Sequence, residues 1–291
     1  MSASMNLFLI FVGSYILMVW AFYMPFRAGQ LYNGPVYCMA IGGYFAGYLM
    51  THGVPFVVTV IVAAVLGAVF GFFPALGFSR TTGVVTAVAS MALIFIIQAI
   101  IGNLGFLGAA RGLWGIPKVS YLLPFTWALV VVVGLLIYRL DHSRVGRAIE
   151  LVGTDPDLAA SLGINIRWLT VFILTASSVV GGMAGAVYAA NLRTLRPETF
   201  GFSVMLTASS MLFLGGRYTM WGAFIAAPIL WGLPQWLPSA IVPYSNFIYG
   251  AVLIIVLVLR PEGLVTRRFL RCLDGLYRRI RRGAQSAPEI V

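Results

Sequence analysis

The chain has 291 residues, of which 60% are hydrophobic and only 9% carry a charged side chain, and its mean hydropathy is +0.96. A soluble domain carries about 25% charged residues, so this composition excludes an ordinary soluble protein and indicates one that crosses the membrane many times. The formal net charge of +11 is then a sign of topology and not of a nucleic-acid partner, because cytoplasmic loops of membrane proteins collect Lys and Arg.

Nine apolar segments are predicted in chain order, most of them near the length that crosses about 30 Å of hydrocarbon. They are 6–24, 31–50, 54–76, 82–101, 121–138, 168–190, 203–216, 221–237 and 245–259. The first is expected to be a retained span. The second contains Asn33, Gly34 and Pro35 and the seventh is short, so each is a candidate for a broken or re-entrant helix. We expect an all-α bundle of about nine membrane segments, between eight and ten.

The distribution of basic residues predicts the orientation of the bundle. If the loop 139–167 and the C-terminus are cytoplasmic, 15 of the 19 basic residues lie inside. Those outside are Arg111, Lys118, Arg193 and Arg196. The positive-inside rule favours this arrangement, which places the N-terminus outside when nine spans are present.

Two regions are expected from this pattern, a transmembrane domain over 1–264 and a basic tail over 265–291. Apolar residues recur in the tail at helical spacing while arginines fill the other face. They are Phe269, Leu273, Leu276 and Ile280. This pattern predicts an amphipathic cytoplasmic helix that lies on anionic membrane lipid.

Small residues recur at four-residue spacing within the predicted spans. The pairs are Gly43 with Gly47, Gly67 with Gly71, and Gly181 with Gly185. Such pairs let helix backbones approach closely. We expect them to pack helices within the chain, and a role in lining a path is the alternative.

The predicted segments contain no ionisable residue at membrane depth, whereas proton-coupled carriers usually keep one there. The sequence also has no G-x-x-x-x-G-K-[ST] loop for ATP, no metal-ligand spacing and no constellation of reactive side chains. We therefore expect a passive conduit that is not an enzyme and holds no cofactor or metal, so that the energy for any uphill transport comes from another subunit. A stand-alone secondary carrier is the alternative of another class, since backbone carbonyls can coordinate sodium.

The polar residues within the predicted spans are uncharged. They are Asn33, Thr86, Ser90, Gln98, Asn191, Ser209, Ser210 and Gln235. An unpaired polar group in lipid costs several kcal/mol, so each must face protein or water. Hydrogen bonding between helices is the first interpretation. Lining a path for a small polar or zwitterionic solute is the second, with Asn33 and Gln98 as the candidates.

The stretch from Val145 to Arg167 is the longest run between apolar segments that is not itself apolar. Asp155 or Thr154 is a suitable N-cap for a helix over Pro156–Leu162, and Gly163 is suited to end it. A helix of about two turns is marginal alone in water. We therefore expect either the membrane surface or another protein to hold it.

Seven motifs occur in an order and at a spacing that are specific together. They are Gly29-Gln30-Leu31, Gly112-Leu113-Trp114-Gly115-Ile116-Pro117, Gly146-Arg147-Ala148, Leu158-Ala159-Ala160-Ser161-Leu162-Gly163-Ile164-Asn165, Arg196-Pro197-Glu198-Thr199-Phe200, Leu214-Gly215-Gly216 and Leu259-Arg260-Pro261-Glu262-Gly263-Leu264. Over residues 29–264 the chain resembles branched-chain amino acid ABC-transporter permeases of the LivM type, in the binding-protein-dependent transport system inner-membrane component family.

This resemblance implies one permease subunit of an ATP-driven importer in the bacterial inner membrane. The implied partners are a second homologous permease that makes a heterodimer, two ABC ATPase subunits and a periplasmic substrate-binding protein. The expected solutes are branched-chain or similar hydrophobic amino acids. Urea, amides and other small carboxylates are the alternatives, because relatives of this type carry them.

The resemblance also assigns roles to residues. The loop helix would be the coupling helix that seats on an ATPase subunit, with Leu158 and Leu162 as apolar anchors. The residues assigned to this contact are Asp157, Leu158, Ala159, Ala160, Leu162 and Gly163, with Gly146 and Arg147 as support. Those assigned to the external loop are Gly112, Leu113, Gly115 and Pro117.

Overall fold

The computed structural model describes residues 3–81, 83–216 and 219–236, so the predicted ninth segment and the tail 265–291 lie outside the described residues. The described chain is all-helical, with one isolated β-bridge and no strand. Its α-helices are α1 (Ala3–Arg27), α2 (Gly34–Thr51), α3 (Phe56–Phe78), α4 (Gly83–Asn103), α5 (Leu122–His142), α6 (Arg144–Thr154), α7 (Pro156–Ser161), α8 (Ile166–Leu192), α9 (Phe202–Gly215) and α10 (Gly222–Trp236).

Each of the first eight predicted apolar segments coincides with a helix, and five of these helices (α1, α3, α4, α5 and α8) are long and apolar enough to cross a membrane. The all-α prediction is confirmed for the described chain, whereas the total of nine segments stays a prediction. α2 is continuous, because Pro35 occupies its first turn, where proline is tolerated. α9 has 14 residues, which is about 21 Å and short of a full crossing.

The helices alternate in direction and so define two ends of the bundle. We call the end that carries α6 and α7 the loop-helix end. The last turn of α1 reaches it, because the Arg27 carbonyl lies beside Gly153 of α6. The first turn of α4 reaches it too, through a close approach of Gly83 to Gly29. The opposite end is closed by the connections 104–121 and 193–201.

The core of the bundle is α2, which packs between α3 and α8 with hardly any side chain exposed. A methyl group added to Gly182 would lie 2.4 Å from the Ala63 carbonyl oxygen, and one added to Gly42 would lie 2.5 Å from the Gly182 carbonyl oxygen. Backbones therefore touch where any side chain would hold them apart.

The predicted glycine pairs take part in this packing. Gly43 and Gly185 face each other across α2 and α8, and Gly67 of α3 meets the Ser178 carbonyl of α8. The interpretation of these glycines as packing residues within the chain is the one that the geometry supports.

Replacing Gly185 with Ala tests this packing. The new methyl group would lie 2.1 Å from the Met39 carbonyl oxygen, so we expect a loss of about 1–3 kcal/mol in unfolding free energy, as for other overpacked cores. Gly77→Ala is the matched control, because a Cβ there meets nothing within 4 Å. Reversible denaturation of the detergent-purified chain measures both, and equal stability of the two variants would contradict the close packing.

Candidate functional site

The segment between α5 and α8 folds as two capped helices. The Ser143 hydroxyl accepts a 3.1 Å hydrogen bond from the Gly146 amide at the start of α6. The Asp155 carboxylate accepts a 3.0 Å hydrogen bond from the Leu158 amide at the start of α7. Asp155 rather than Thr154 is therefore the N-cap, since the Thr154 hydroxyl donates back to its own helix.

α7 ends as its sequence predicts. Gly163 adopts a left-handed conformation with φ +77°, and its amide donates to the Ala160 carbonyl at 3.0 Å. The Ile164 amide donates to the Ala159 carbonyl at 3.1 Å. These two bonds satisfy carbonyls that a helix end leaves open. The helix of about two turns thus has its termini fixed by local chemistry alone.

Some of the α7 residues predicted for the coupling contact are exposed and one is buried. Leu158 and Leu162 are four residues apart and are 47% and 65% exposed, so they form one apolar face. Asp157 and Ala160 are exposed on another side of α7, whereas Ala159 is fully buried against its own chain. A docking partner would reach the two leucines and Ala160, but not Ala159.

α6 holds α7 against the bundle through small residues and a short apolar stripe. Its buried residues are Gly146, Ile149 and Val152. A Cβ added to Gly146 would lie 2.1 Å from the Leu140 carbonyl oxygen, so this position supports the segment by close packing. Arg147 is exposed, and its guanidinium donates to the His142 carbonyl of its own loop at 3.5 Å.

A buried arginine ties this segment to the first helix. Arg27 is 8% exposed, and its guanidinium forms ion pairs with Asp141 of α5 and, at 2.8 Å, with Glu150 of α6. The Tyr23 hydroxyl donates to the second oxygen of Asp141 at 2.8 Å. Charged groups buried in pairs of this kind hold their elements in one arrangement.

From the sequence, Arg27 is predicted only as a basic residue of a loop, and no role is predicted for its two partners. A signal was available, because Asp141 and Glu150 are the first two acidic residues of the chain. The predicted spans 6–24 and 121–138 also ended too early. The helices continue to Arg27 and His142, and Arg27 and Asp141, which lie in these extensions, form an ion pair.

The two residues predicted to line a path instead bond to protein. The Asn33 side-chain amide donates to the Ala87 carbonyl at 3.2 Å. The Gln98 side-chain amide donates to the Pro197 carbonyl at 3.0 Å. The two bonds lie at different levels of the bundle, because Ala87, which accepts from Asn33, and Gln98, which donates to Pro197, are separated by about 16 Å along α4. The geometry favours the first interpretation of these residues, hydrogen bonding between helices.

The predicted external loop covers the opposite end of the bundle. Leu113 and Leu195 exchange backbone hydrogen bonds of 2.8 and 2.9 Å, and Gly112 permits this because a Cβ there would lie 2.2 Å from the Leu195 carbonyl oxygen. Gly115 adopts a left-handed backbone conformation, and a Cβ added to it would meet nothing within 4 Å. Pro117 is exposed. Gly112 and Leu113 are therefore structural, and the other two face outward.

A cavity of about 480 Å³ lies between α1, α5 and α8. Its wall is almost entirely apolar. The lining residues are Met24, Val133, Leu136, Ile137, Leu140, Phe172, Thr175, Ala176, Val179, Val180 and Met183. It offers a polar solute little to bind. Among the described residues, no cluster of His, Cys, Asp and Glu is suited to a metal ion.

Long apolar helices, with basic residues gathered at their ends and a capped helix pair between two of them, are the features of a multi-pass membrane protein. The family described as "Branched-chain amino acid transport system / permease component" matches residues 4–257. The chain belongs to this family of ABC-transporter permeases.

Two kinds of relative are similar to the chain. The high-affinity branched-chain amino acid transport system permease protein LivM of Escherichia coli (strain K12) is 29% identical over 160 residues, which is 54% of this chain and 37% of that relative. LivM of Salmonella typhimurium is 28% identical over the same shares. The match thus spans little more than a third of these relatives.

The autoinducer 2 import system permease protein LsrC of Yersinia pseudotuberculosis serotype O:3 (strain YPIII) is 26% identical over 227 residues, covering 68% of this chain and 65% of the relative. The names of these relatives thus include two different kinds of solute. No solved structure matches the chain.

Arg27→Gln tests the link between α1 and the loop-helix segment. The change leaves the carboxylate of Asp141, only 17% exposed, without its charged partner, so we expect a loss of about 3 kcal/mol in unfolding free energy. Arg80→Gln removes the same charge from an exposed position in the connection at the same end and should change little. Protease sensitivity of the segment 143–165 is a second readout. Arg27→Gln behaving like Arg80→Gln in both would refute the link.

Proposed function

We propose that this chain is the membrane-spanning permease subunit of an ATP-driven importer for branched-chain or similar hydrophobic amino acids. In this proposal it pairs with a second homologous permease, two ABC ATPase subunits and a periplasmic substrate-binding protein. The observation that carries the proposal is α7, a short capped helix whose apolar face is exposed in a chain of the ABC-permease family.

The exposed face of α7 has the character of a docking surface. Exposed apolar residues at positions i and i+4 form the pattern by which a helix enters a groove on a partner. Leu158 and Leu162 supply this pattern, and the exposed Ala160 leaves room for close contact on another side of the helix. An ATPase subunit is the partner that a translocation subunit without an ATP site requires.

The contacts around α7 would transmit a movement of that partner to the helices of the bundle. α7 continues through four residues into α8, whose first turn is capped by the Asn165 side chain at 3.2 Å from the Trp168 amide. α6 is held to α1 by the Arg27–Glu150 ion pair. A displacement of docked α7 therefore acts on α8 directly and on α1 through α6, both of which contact the central α2.

The orientation follows in the same proposal. The loop-helix end, which holds Arg27, Arg80, Arg139, Arg144, Arg147 and Arg167, faces the cytoplasm and the ATPase. The opposite end, with Arg111, Lys118, Arg193 and Arg196, faces the binding protein. The C-terminal tail is then cytoplasmic and lies on membrane lipid.

The proposed class of solute rests on the names of the relatives and on the chemical character of the buried side chains. LivM is named for branched-chain amino acids, and the interior offers uncharged polar groups and aromatic rings apart from the Arg27 pairs. A neutral or zwitterionic solute fits such an interior. Urea, amides and other small carboxylates are the alternatives, and the ligand that co-purifies with the cognate binding protein decides among them.

Ala160→Glu tests the docking role of α7. A carboxylate added to the exposed surface of this short helix must be desolvated when α7 enters a groove on its partner, so we expect loss of ATPase co-purification and of ATP-dependent uptake, with normal membrane insertion. Ser120→Glu adds the same charge to an exposed residue at the opposite end and should leave both unchanged. Pull-down from detergent extracts and uptake into cells measure the two effects, and wild-type transport by Ala160→Glu would refute the docking role.

Reconstituting the chain alone separates the importer from the stand-alone carrier. We expect no uptake driven by a proton or sodium gradient in such liposomes, and uptake only when the ATPase, the second permease and the binding protein are supplied. Gradient-driven uptake by the chain alone would favour the carrier.

A further inference from the structure

Three buried groups in the half of the bundle near the opposite end have no hydrogen-bond partner within the described part of the chain. They are the Tyr44 hydroxyl, both amide atoms of the Asn191 side chain and the indole N–H of Trp231. Tyr44 is fully buried and Asn191 is 7% exposed. On α8 the Ser178 hydroxyl is satisfied, since it donates to the Leu174 carbonyl at 2.9 Å. The Thr175 hydroxyl, nearer the loop-helix end of the same helix, is a further buried group without a partner in the described chain.

Aromatic rings connect these three groups into one cluster. The Tyr44 ring lies 6.0 Å from the Phe200 ring, which lies 5.7 Å from the Tyr188 ring. Tyr188 lies 6.1 Å from Tyr15, whose ring is 4.8 Å from that of Trp231. Asn191 follows Tyr188 by three residues on α8, so the two share one side of that helix. We call these six residues the aromatic–amide cluster.

The burial of unpaired groups here needs an explanation. A buried amide without partners costs several kcal/mol, and an apolar side chain of the same size would avoid that cost. Lipid cannot satisfy these groups. A second permease subunit would contact the outer surface of the bundle, whereas Tyr44 and Asn191 are buried inside it, so a solute reaches them only when the bundle opens during transport. A small polar molecule fits these conditions, and so does a polar group from residues 237–291, which lie outside the described residues. The melting temperatures of apolar variants separate the two.

We propose that the aromatic–amide cluster binds the transported solute, and that this solute is a small zwitterionic amino acid. The inference rests on the proposed function. The Trp231 N–H and the Asn191 amide N–H would donate to a carboxylate, and the Asn191 amide oxygen would accept from an ammonium group. The ring faces attract a cation and also provide apolar contact for an aliphatic side chain.

The position of the cluster agrees with this role. Asn191 is the next-to-last residue of α8, and four residues later Leu195 forms the bridge with Leu113 that covers the opposite end. A solute released by a binding protein at that end would meet the cluster before it reached the glycine-packed middle of α2 and α8.

Apolar isosteres test the cluster. Asn191→Leu and Tyr44→Phe remove the unpaired groups and keep the side-chain volume. Tyr37→Phe is the matched control, because Tyr37 lies two turns earlier on α2 and its hydroxyl is bonded to that of Tyr32 at 2.7 Å. The assays are uptake of radiolabelled leucine by proteoliposomes of the complete transporter, the melting temperature of the purified permease with and without leucine, and ATPase co-purification.

We expect Asn191→Leu to lower leucine uptake by about tenfold or more, since a hydrogen bond to a charged group is lost. Its melting temperature should equal or exceed that of the wild type, and ATPase co-purification should be unchanged. Tyr37→Phe should lower the melting temperature by about 2–4 °C for each kcal/mol lost. Leucine should raise the melting temperature of the wild type but not of Asn191→Leu.

Two results would overturn the inference. One is wild-type leucine uptake by Asn191→Leu. The other is a lower melting temperature of Asn191→Leu or Tyr44→Phe, as in Tyr37→Phe, since the removed group would then have a structural partner. A wild-type chain that binds no ATPase would contradict the proposed function instead. The effect of leucine on the melting temperature would still decide whether the cluster binds it.

Discussion

The contact on which the rest of the structure depends is the close approach of α2 to α3 and α8. Where Gly42 meets Gly182 and where Gly67 meets Ser178, backbone lies against backbone. The two ends of α8 carry α7 and the connection to the opposite-end bridge. A single rigid contact therefore fixes both the surface that we assign to an ATPase and the cover at the other end.

Local signals made much of the fold predictable. Hydropathy located the first eight helices, and the bounds of α7 followed from Asp155, Pro156 and Gly163 because caps and stops act within a few residues. The ion pairs of Arg27 were not predicted, since they join residues more than 110 positions apart. Periodicity and spacing carry no information on such pairings.

In the candidate site, too, local features were predictable from the sequence and contacts between distant residues were not. Asn33 and Asn191 are the same residue type in apolar surroundings, and sequence reasoning preferred Asn33 for a path. The structure gives Asn33 partners on α4, whereas the Asn191 side chain has none in the described chain. Which amide remains free for a ligand depends on neighbours from distant parts of the chain. The burial of Ala159 also depends on such neighbours, so the sequence wrongly predicted it to be part of the docking surface.

The burial of α2 also has a consequence for biogenesis. α2 carries four glycines and three tyrosines and is not among the five long apolar helices. It leaves the ribosome more than 100 residues before α8 does. The backbone contacts that bury α2 against α8 can therefore form only after α8 has been synthesised, so assembly of the core follows the insertion of the early helices.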